Sequence, residues 1–209
     1  MDEIAIYLHY APVASVIFGI TIASSLLAFY NDELYDRMIL NPYKVSKGSE
    51  TYTLLTSGFI HKDWMHLIFN MMTYYFFAFQ LEAMIGHWQF ALLYIVSLVL
   101  SDLPTVYKNR ENFWYRSLGA SGAISAVVFS AIMFDPTAKM GLLLIPIQIP
   151  AIIFGALYLA YCVYASRRSS DGINHDAHFY GALCGIILTV ILIPQSVHIF
   201  FDKLAHAFG

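Results

Sequence analysis

The sequence predicts an all-α membrane protein in which one domain, residues 1–209, forms a bundle of six transmembrane helices. Of its 209 residues, 59% are hydrophobic and only 12% are charged, about half of the roughly 25% charge that is usual in soluble domains. Six runs without charged residues are long enough, or nearly so, to cross a hydrocarbon core of about 30 Å. Because lipid offers the backbone no hydrogen bonds, each span must be helical. The six predicted spans are 4–30, 64–81, 83–101, 117–134, 140–166 and 177–201.

The connections follow from the polar residues between these runs. Span one begins almost at the start of the sequence, after Asp2 and Glu3 rather than a basic segment, and exceeds a signal-peptide core, so we predict a retained helix. Glu82 and Gly86 predict a tight turn between spans two and three, and Asp135-Pro136-Thr137 predicts another after span four.

Composition excludes several classes of function. The net charge is −3, and the sequence has neither a basic patch nor a phosphate-binding glycine loop, so we expect no nucleic-acid partner. Cys162 and Cys184 each lie within an apolar run, which argues against a disulfide framework. The sequence lacks CxxC and HExxH motifs, and we expect no metal and no cofactor. Membrane lipids are the expected surroundings.

Polar residues occur near the starts of spans two, four and six. These are His66 with Asn70, then Ser121, then His178. Since consecutive spans alternate in direction, all four residues lie at one side of the membrane. His66 and Asn70 are four residues apart and share a helix face. Each is costly to leave unpaired in lipid, so we expect them to face the bundle interior.

Small residues predict a close contact between spans four and six. Gly119 and Gly122 flank Ser121, while Gly181 and Gly185 are spaced by four on span six. Such residues allow membrane helices to approach closely. The contact would bring Ser121 within reach of His178.

These residue types fit peptide-bond hydrolysis. A serine becomes an effective nucleophile when a base takes its proton, and His178 is the candidate base and later acid. The side chains of His66 and Asn70 and the backbone N–H of Ser121 are candidate donors to an oxyanion. Asp176 is two residues before His178 and does not share its helix face, so we predict a Ser–His dyad, with Asn174 or Asp176 capping the helix.

Four motifs occur in order on the predicted helices: His61-x4-His66-x3-Asn70, Leu81-Glu82-x3-Gly86-x3-Phe90-x3-Tyr94, Gly119-Ala-Ser121-Gly122, and Ala177-His178-xx-Gly181-xxx-Gly185. Together they resemble the rhomboid family of intramembrane serine proteases. The resemblance implies a six-helix rhomboid-like bundle that cleaves single-span membrane proteins near one end of their transmembrane helix. It also implies Ser121 as nucleophile, His178 as base, and His66, Asn70 and the Ser121 amide as the oxyanion hole. We expect the minimal six-helix form of the family, without an additional soluble domain, and this form is typical of an enzyme of the bacterial inner membrane.

Two positions depart from the family pattern. Many relatives carry Trp-Arg in the first loop, where this sequence has Tyr52-Thr53. Many also carry a tyrosine one turn after the nucleophile, packed on the catalytic histidine, where this sequence has Ser125. A different residue must therefore support the ring of His178.

Three alternatives remain open at this stage. The first is an inactive relative that binds membrane clients without cutting them, and the second is a transporter, although no charged residue lies centrally in a predicted span. The third is a metalloprotease using four histidines, namely His61, His66, His175 and His178.

Membrane orientation receives two opposite predictions. Nine basic residues lie on the side of the candidate site and two on the other, so the positive-inside rule places the site in the cytoplasm. The family resemblance implies termini inside and a site that opens outward, and we adopt this second orientation. The nine are Arg37, Lys44, Lys47, Lys62, Lys108, Arg110, Arg116, Arg167 and Arg168, and the two are Lys139 and Lys203.

Overall fold

The computed structural model describes residues 3–141, 147–169 and 171–208, which are mostly helical. Within these ranges the chain forms eleven α-helices, one 3-10 helix (Ser57–Phe59) and a small antiparallel sheet of two strands. The helices are α1 (Glu3–Tyr10), α2 (Pro12–Phe29), α3 (Asp32–Met38), α4 (Pro42–Ser46), α5 (Thr53–Thr56), α6 (Trp64–Ile85), α7 (His87–Lys108), α8 (Ser121–Phe134), α9 (Ala151–Arg168), α10 (His175–Leu192) and α11 (Gln195–Phe208). The strands are β1 (Lys139–Gly141) and β2 (Gln148–Pro150), with Met140 opposite Ile149.

Helix α8 is the centre of the bundle. Nearly all of its residues are buried, and it packs against α6, α7, α9, α10 and α11. With 14 residues it is about 21 Å long, shorter than a hydrocarbon core of about 30 Å. Its first residue, Ser121, is therefore reached by a non-helical segment, which membrane proteins tolerate only where protein surrounds it.

Helices α8 and α10 touch through their backbones. A Cβ atom added at Gly181 would collide with the carbonyl of Gly122, and one added at Gly185 would collide with Ala126. A Cβ at Gly122 would overlap the hydroxyl of Ser101 on α7. Only glycine at these three positions permits the observed approach of α7, α8 and α10.

Glu82 joins the N-terminal helices to the bundle. Its buried carboxylate accepts backbone hydrogen bonds from Val13 at 3.0 Å and Ala14 at 2.5 Å, in the first turn of α2. Its Oε1 also lies 2.7 Å from Nδ1 of His87. The carboxylate thus occupies the positive end of α2, where an anion is favoured. It sits at the opposite end of α6 from His66 and has no part in the candidate site.

The predicted tight turn between spans two and three is confirmed, because Gly86, with φ +96°, separates α6 from α7. All six helical segments differ from their predicted bounds. The predicted spans 64–81, 83–101 and 117–134 correspond to α6, α7 and α8, each shifted at one or both ends. The other three differ more. The 4–30 run is two helices, broken where Pro12 begins α2. The 177–201 run ends at Leu192, since Pro194 cannot continue a helix, and α11 follows it.

The largest difference concerns the predicted span 140–166. Its first described residues are strands, and α9 begins only at Ala151, after Pro150. Residues 142–146 of this predicted span lie outside the described residues. The Ile-rich run before Pro150 favours an extended backbone, because isoleucine is β-branched and a residue before proline avoids the helical region.

By length and apolarity, three of the described helices are candidate membrane spans: α2, α7 and α10. Helix α8 is apolar but shorter. Helices α6 and α9 have 22 and 18 residues, with two tyrosines in α6 and three in α9. The fold is that of a helical membrane protein, and the number of six spans stays a prediction.

Candidate active site

One cavity, of about 1130 Å³, collects three of the predicted site residues. Ser121, Asn70 and His178 all line it. Its other walls come from one face of α6, from α8, from α9 and from both strands. Most of these lining side chains are apolar, among them Phe69, Met72, Phe76, Phe77, Val128, Met140 and Phe154. The side chains of Ser121, Asn70 and His178 thus face a cavity with mostly apolar walls.

The segment before Ser121 is held by hydrogen bonds to the first loop. Ser117 pairs with Leu40 in an isolated antiparallel bridge, and the backbone N–H of Gly119 donates to the carbonyl of Ser57 at 2.9 Å. Ala120, at the N-cap position of α8, supplies no capping side chain. The N–H of Ser121 has no acceptor within the described ranges, as expected for the first turn of a helix. It is available to a ligand.

Gly119 brings this segment onto the ring of His66. Its φ of +112° is a conformation that side-chain-bearing residues rarely adopt. A Cβ placed there would lie 2.6 Å from Cε1 and 2.8 Å from Nε2 of His66. Glycine is therefore required at residue 119 for two reasons, backbone conformation and space.

His61 connects the segment before Ser121 to α2. Its ring is completely buried, its Nδ1 lies 3.0 Å from Oγ of Ser25, and its Nε2 accepts the N–H of Ala120 at 3.5 Å. Because Ser25 Oγ donates to the carbonyl of Phe59, we assign the proton of His61 to Nδ1. Burial, reinforced by neighbouring His66, lowers the pKa of His61 to about 3, so the ring is neutral. His61 positions the backbone beside Ser121 and does not line the cavity.

Asn70 and His66 occupy different places. One N–H of the Asn70 amide donates to the carbonyl of His66 at 2.9 Å, which leaves its second N–H for another acceptor. The described lining of the cavity includes Asn70 but not His66. The His66 ring lies between Gly119 and His61, whose ring centroid is 4.8 Å away. Asp63 caps the helix at this end by accepting the N–H of His66 at 2.8 Å.

The start of α10, which carries His178, is fixed by Asn174. The Asn174 amide oxygen accepts the N–H of Ala177 at 3.1 Å and the hydroxyl of Thr105 at 3.0 Å. Its nitrogen donates to the Ser117 hydroxyl at 3.0 Å, which links α10 directly to the segment before Ser121. Of the two predicted caps, Asn174 is thus the one observed.

Ser121 and His178 line one cavity, but no hydrogen bond joins their side chains among those formed by the described residues. Catalytic hydrogen bonds are often long in unliganded enzymes and shorten when substrate binds. The two side chains therefore share a cavity without contacting each other through a hydrogen bond.

Tyr158 on α9 supports the ring of His178. The two rings are stacked, 6.3 Å apart between centroids and 14° from parallel. The Tyr158 hydroxyl is 2.9 Å from Oγ of Ser125, one turn after Ser121. Tyr158 of α9 therefore provides the aromatic contact with His178 that Ser125 of α8 cannot provide. The sequence held no signal for this pairing, because it depends on how α9 packs against α8 and α10.

His175 and Cys162 also lie close to His178. The His175 ring is perpendicular to that of His178 at 5.9 Å between centroids, and its Nε2 lies 3.1 Å from a carboxylate oxygen of Asp171. Hydrogen bonds from Ser169, the Ile173 backbone and His175 hold the pKa of Asp171 at about 2, so it is ionised. No sequence signal linked Cys162 to these histidines, because their proximity depends on how α9 packs against α10.

A comparison of the sequence with protein families gives a result that agrees with this arrangement. A family profile described as "Rhomboid domain" matches residues 48–195, which include Ser121, His178, Asn70 and His66. The chain belongs to the rhomboid family. Both the glycine-lined contact of α8 with α10 and the shared cavity fall within the matched region.

Several rhomboid proteins are similar to this chain. "Putative rhomboid protease YdcA" of Bacillus subtilis is 31% identical over 149 residues, which are 71% of each protein. "Presenilin-associated rhomboid-like protein A, mitochondrial" of Danio rerio is 29% identical over 72% of this chain. "RHOMBOID-like protein 12, mitochondrial" of Arabidopsis thaliana is 24% identical over 82% of this chain. The matched regions cover only 40% and 56% of the last two relatives.

Proposed function

We propose that this rhomboid-family protein is an intramembrane serine endopeptidase that cleaves transmembrane segments with a Ser121–His178 dyad. The observation that carries the proposal is the shared cavity, where the starts of α6, α8 and α10 present an amide, a hydroxyl and an imidazole to one space. The names of its relatives, one of which contains the word protease, support it.

In the proposed mechanism, His178 takes the proton of Ser121 as Oγ attacks the scissile carbonyl, and then gives it to the leaving amine. The oxyanion is bound by the Ser121 N–H and by the free N–H of Asn70. The third proposed donor, His66, needs a small movement toward the cavity. Tyr158 holds the His178 ring, and His61 and Gly119 hold the backbone of the nucleophile.

The proposed substrates are single-span membrane proteins. The cavity is lined by the aromatic face of α6, including Phe69 and Phe76, and by Phe154 of α9. An apolar substrate segment can lie against these side chains beside Ser121. A helical peptide bond is shielded by its own backbone, so we expect cleavage where the substrate contains residues that weaken the helix.

The test is cleavage of a single-span substrate by purified protein in liposomes. Ser121→Ala and His178→Ala should each lower kcat by at least about 10⁴-fold. Two matched controls lie on α11: Ser196→Ala removes a buried hydroxyl, and His198→Ala removes an exposed imidazole. Both controls should cleave at the wild-type rate. Full activity of Ser121→Ala would refute the proposal.

A second candidate is a rhomboid protein that binds membrane clients without cutting them. The observation in its favour is that Ser121 and His178 share a cavity without a hydrogen bond between them. A fluorophosphonate probe separates the two candidates, since it reacts only with an activated serine. Labelling of wild type but not of Ser121→Ala supports the protease, and equal absence of labelling in both supports the client-binding protein.

We place the proposed enzyme in a bacterial cell membrane, with six spans and its site opening outward. The bacterial relative, whose full length is covered to 71%, supports this placement, whereas the zebrafish and Arabidopsis relatives carry mitochondrial names. Reporter fusions at each terminus test the orientation. A cytoplasmic site would instead agree with the excess of basic residues on that side.

A further inference from the structure

Three side chains with metal-binding atoms meet beside the dyad. Cys162 of α9 and His175 and His178 of α10 each offer one ligand atom, and these atoms all lie within 4.8 Å of one another. Cys162 and His175 are buried, while His178 faces the cavity. The cluster is therefore reached from the cavity through His178.

His175 is held in the manner of a metal ligand. Its Nε2 lies 3.1 and 3.3 Å from the two carboxylate oxygens of Asp171. Its Nδ1 is buried and has no hydrogen-bond partner among the residues that the structure describes, although His175 is only 4% exposed. Buried ring nitrogens are normally paired, and an unpaired one requires an explanation. A histidine bonded to a carboxylate through one nitrogen commonly binds a metal through the other.

We propose that Cys162, His175 and His178 form a binding site for Zn²⁺ that inhibits the enzyme. One thiolate and two imidazoles are ligands that zinc accepts in tetrahedral sites, and a water can take the fourth position. Bonds of about 2.0–2.3 Å place tetrahedral ligands roughly 3.3–3.6 Å apart. The three side chains must approach by about 1 Å, a movement that side-chain rotation supplies. The site is additional to the expected hydrolytic chemistry, which needs no metal.

Inhibition follows from the role of His178, and this part rests on the proposed function. When one ring nitrogen of His178 donates its lone pair to zinc, the other ring nitrogen carries the proton. The imidazole then has no free lone pair to take the proton of Ser121. Binding also converts the Cys162 thiol to a thiolate, and the proton leaves to solvent. Removing the metal with a chelator restores both the thiol and the free imidazole.

Binding is tested without catalysis. The full chain carrying Ser121→Ala, purified without a polyhistidine tag, is titrated with Co²⁺ as a spectroscopic substitute for zinc. We expect a thiolate-to-cobalt charge-transfer band together with the visible bands of tetrahedral cobalt. Cys162→Ser should abolish the charge-transfer band, whereas Cys184→Ser, the matched control at the other cysteine, should keep it. Asp171→Asn should weaken binding about 10- to 100-fold. A charge-transfer band that survives Cys162→Ser would overturn the site.

Inhibition is tested with the catalytically intact chain. Zn²⁺ should stop substrate cleavage, and a chelator should restore it. Cys162→Ser should cleave normally, and its inhibition should require a Zn²⁺ concentration about 10-fold higher or more. Cobalt binding without zinc inhibition in a cleaving enzyme would overturn the inhibitory role. Cobalt binding by a chain that cleaves nothing, even with chelator, would instead overturn the proposed protease activity and leave the metal site standing.

Discussion

Replacing Gly119 by alanine tests whether the segment before Ser121 is built around the ring of His66. At φ +112° a side chain strains the backbone, at a cost of about 1–3 kcal/mol. The new Cβ would lie 2.6 Å from the His66 ring. To regain an ordinary contact of 3.4 Å, the ring or the segment must retreat by about 0.8 Å. Such a displacement at an oxyanion donor or nucleophile lowers kcat by about 10²-fold.

Gly48→Ala is the matched control for this experiment. Gly48 also has a positive φ, +78°, but a Cβ there would meet nothing within 4 Å. It shares the backbone strain and lacks the collision with His66. Both variants should lose some thermal stability, and only Gly119→Ala should lose most of its kcat in a liposome cleavage assay. Equal kcat values for two folded variants would refute the reasoning.

Three further predictions concern residues around the dyad. Tyr158→Ala should lower kcat about 10²-fold because the His178 ring loses its stacking partner, whereas Tyr158→Phe, which keeps the ring and loses only the hydroxyl with its hydrogen bonds, should restore most of it; equal losses would contradict a stacking role. Asn70→Ala should reduce kcat about 10²–10³-fold with little change in KM, and an unchanged kcat would remove Asn70 from the oxyanion hole. The pKa of His61 is lowered from 6.5 to about 3, so below pH 6.5 the unfolded chain binds a proton that the folded protein does not. Stability should then fall by about 2 kcal/mol at pH 5 relative to pH 7. His61→Gln should flatten this fall in thermal unfolding, and an unaltered pH profile would contradict the burial argument.

Much of the site was predictable because it depends on local and periodic features. His66 and Asn70 share a helix face by their spacing, and alternation of direction places them on the same side as Ser121 and His178. The cavity lined by Ser121, Asn70 and His178 is consistent with that reasoning. The position of His66, against Gly119 rather than on the cavity lining, was not predictable, because it depends on how the non-helical segment before α8 folds back.

The bounds of the helices were less predictable than their existence. Hydrophobic runs indicate which segments are buried in lipid or protein, but a short apolar run is compatible with either helix or strand. The predicted span 140–166 therefore began too early, since it included β1 and β2 before α9. Likewise, Pro12 and Pro194 interrupt apolar runs that composition alone joins into single spans.

The sequence by itself determined the membrane class of this protein, its rhomboid family membership and the order of the residues proposed for catalysis. These properties reside in composition, in helical spacing and in short motifs, all of which are local. Only the tertiary structure decided what surrounds His178. Tyr158 and Cys162 lie on α9 and meet α10 through packing between two separate helices, so no local pattern encodes the stacked tyrosine or the Cys–His–His cluster.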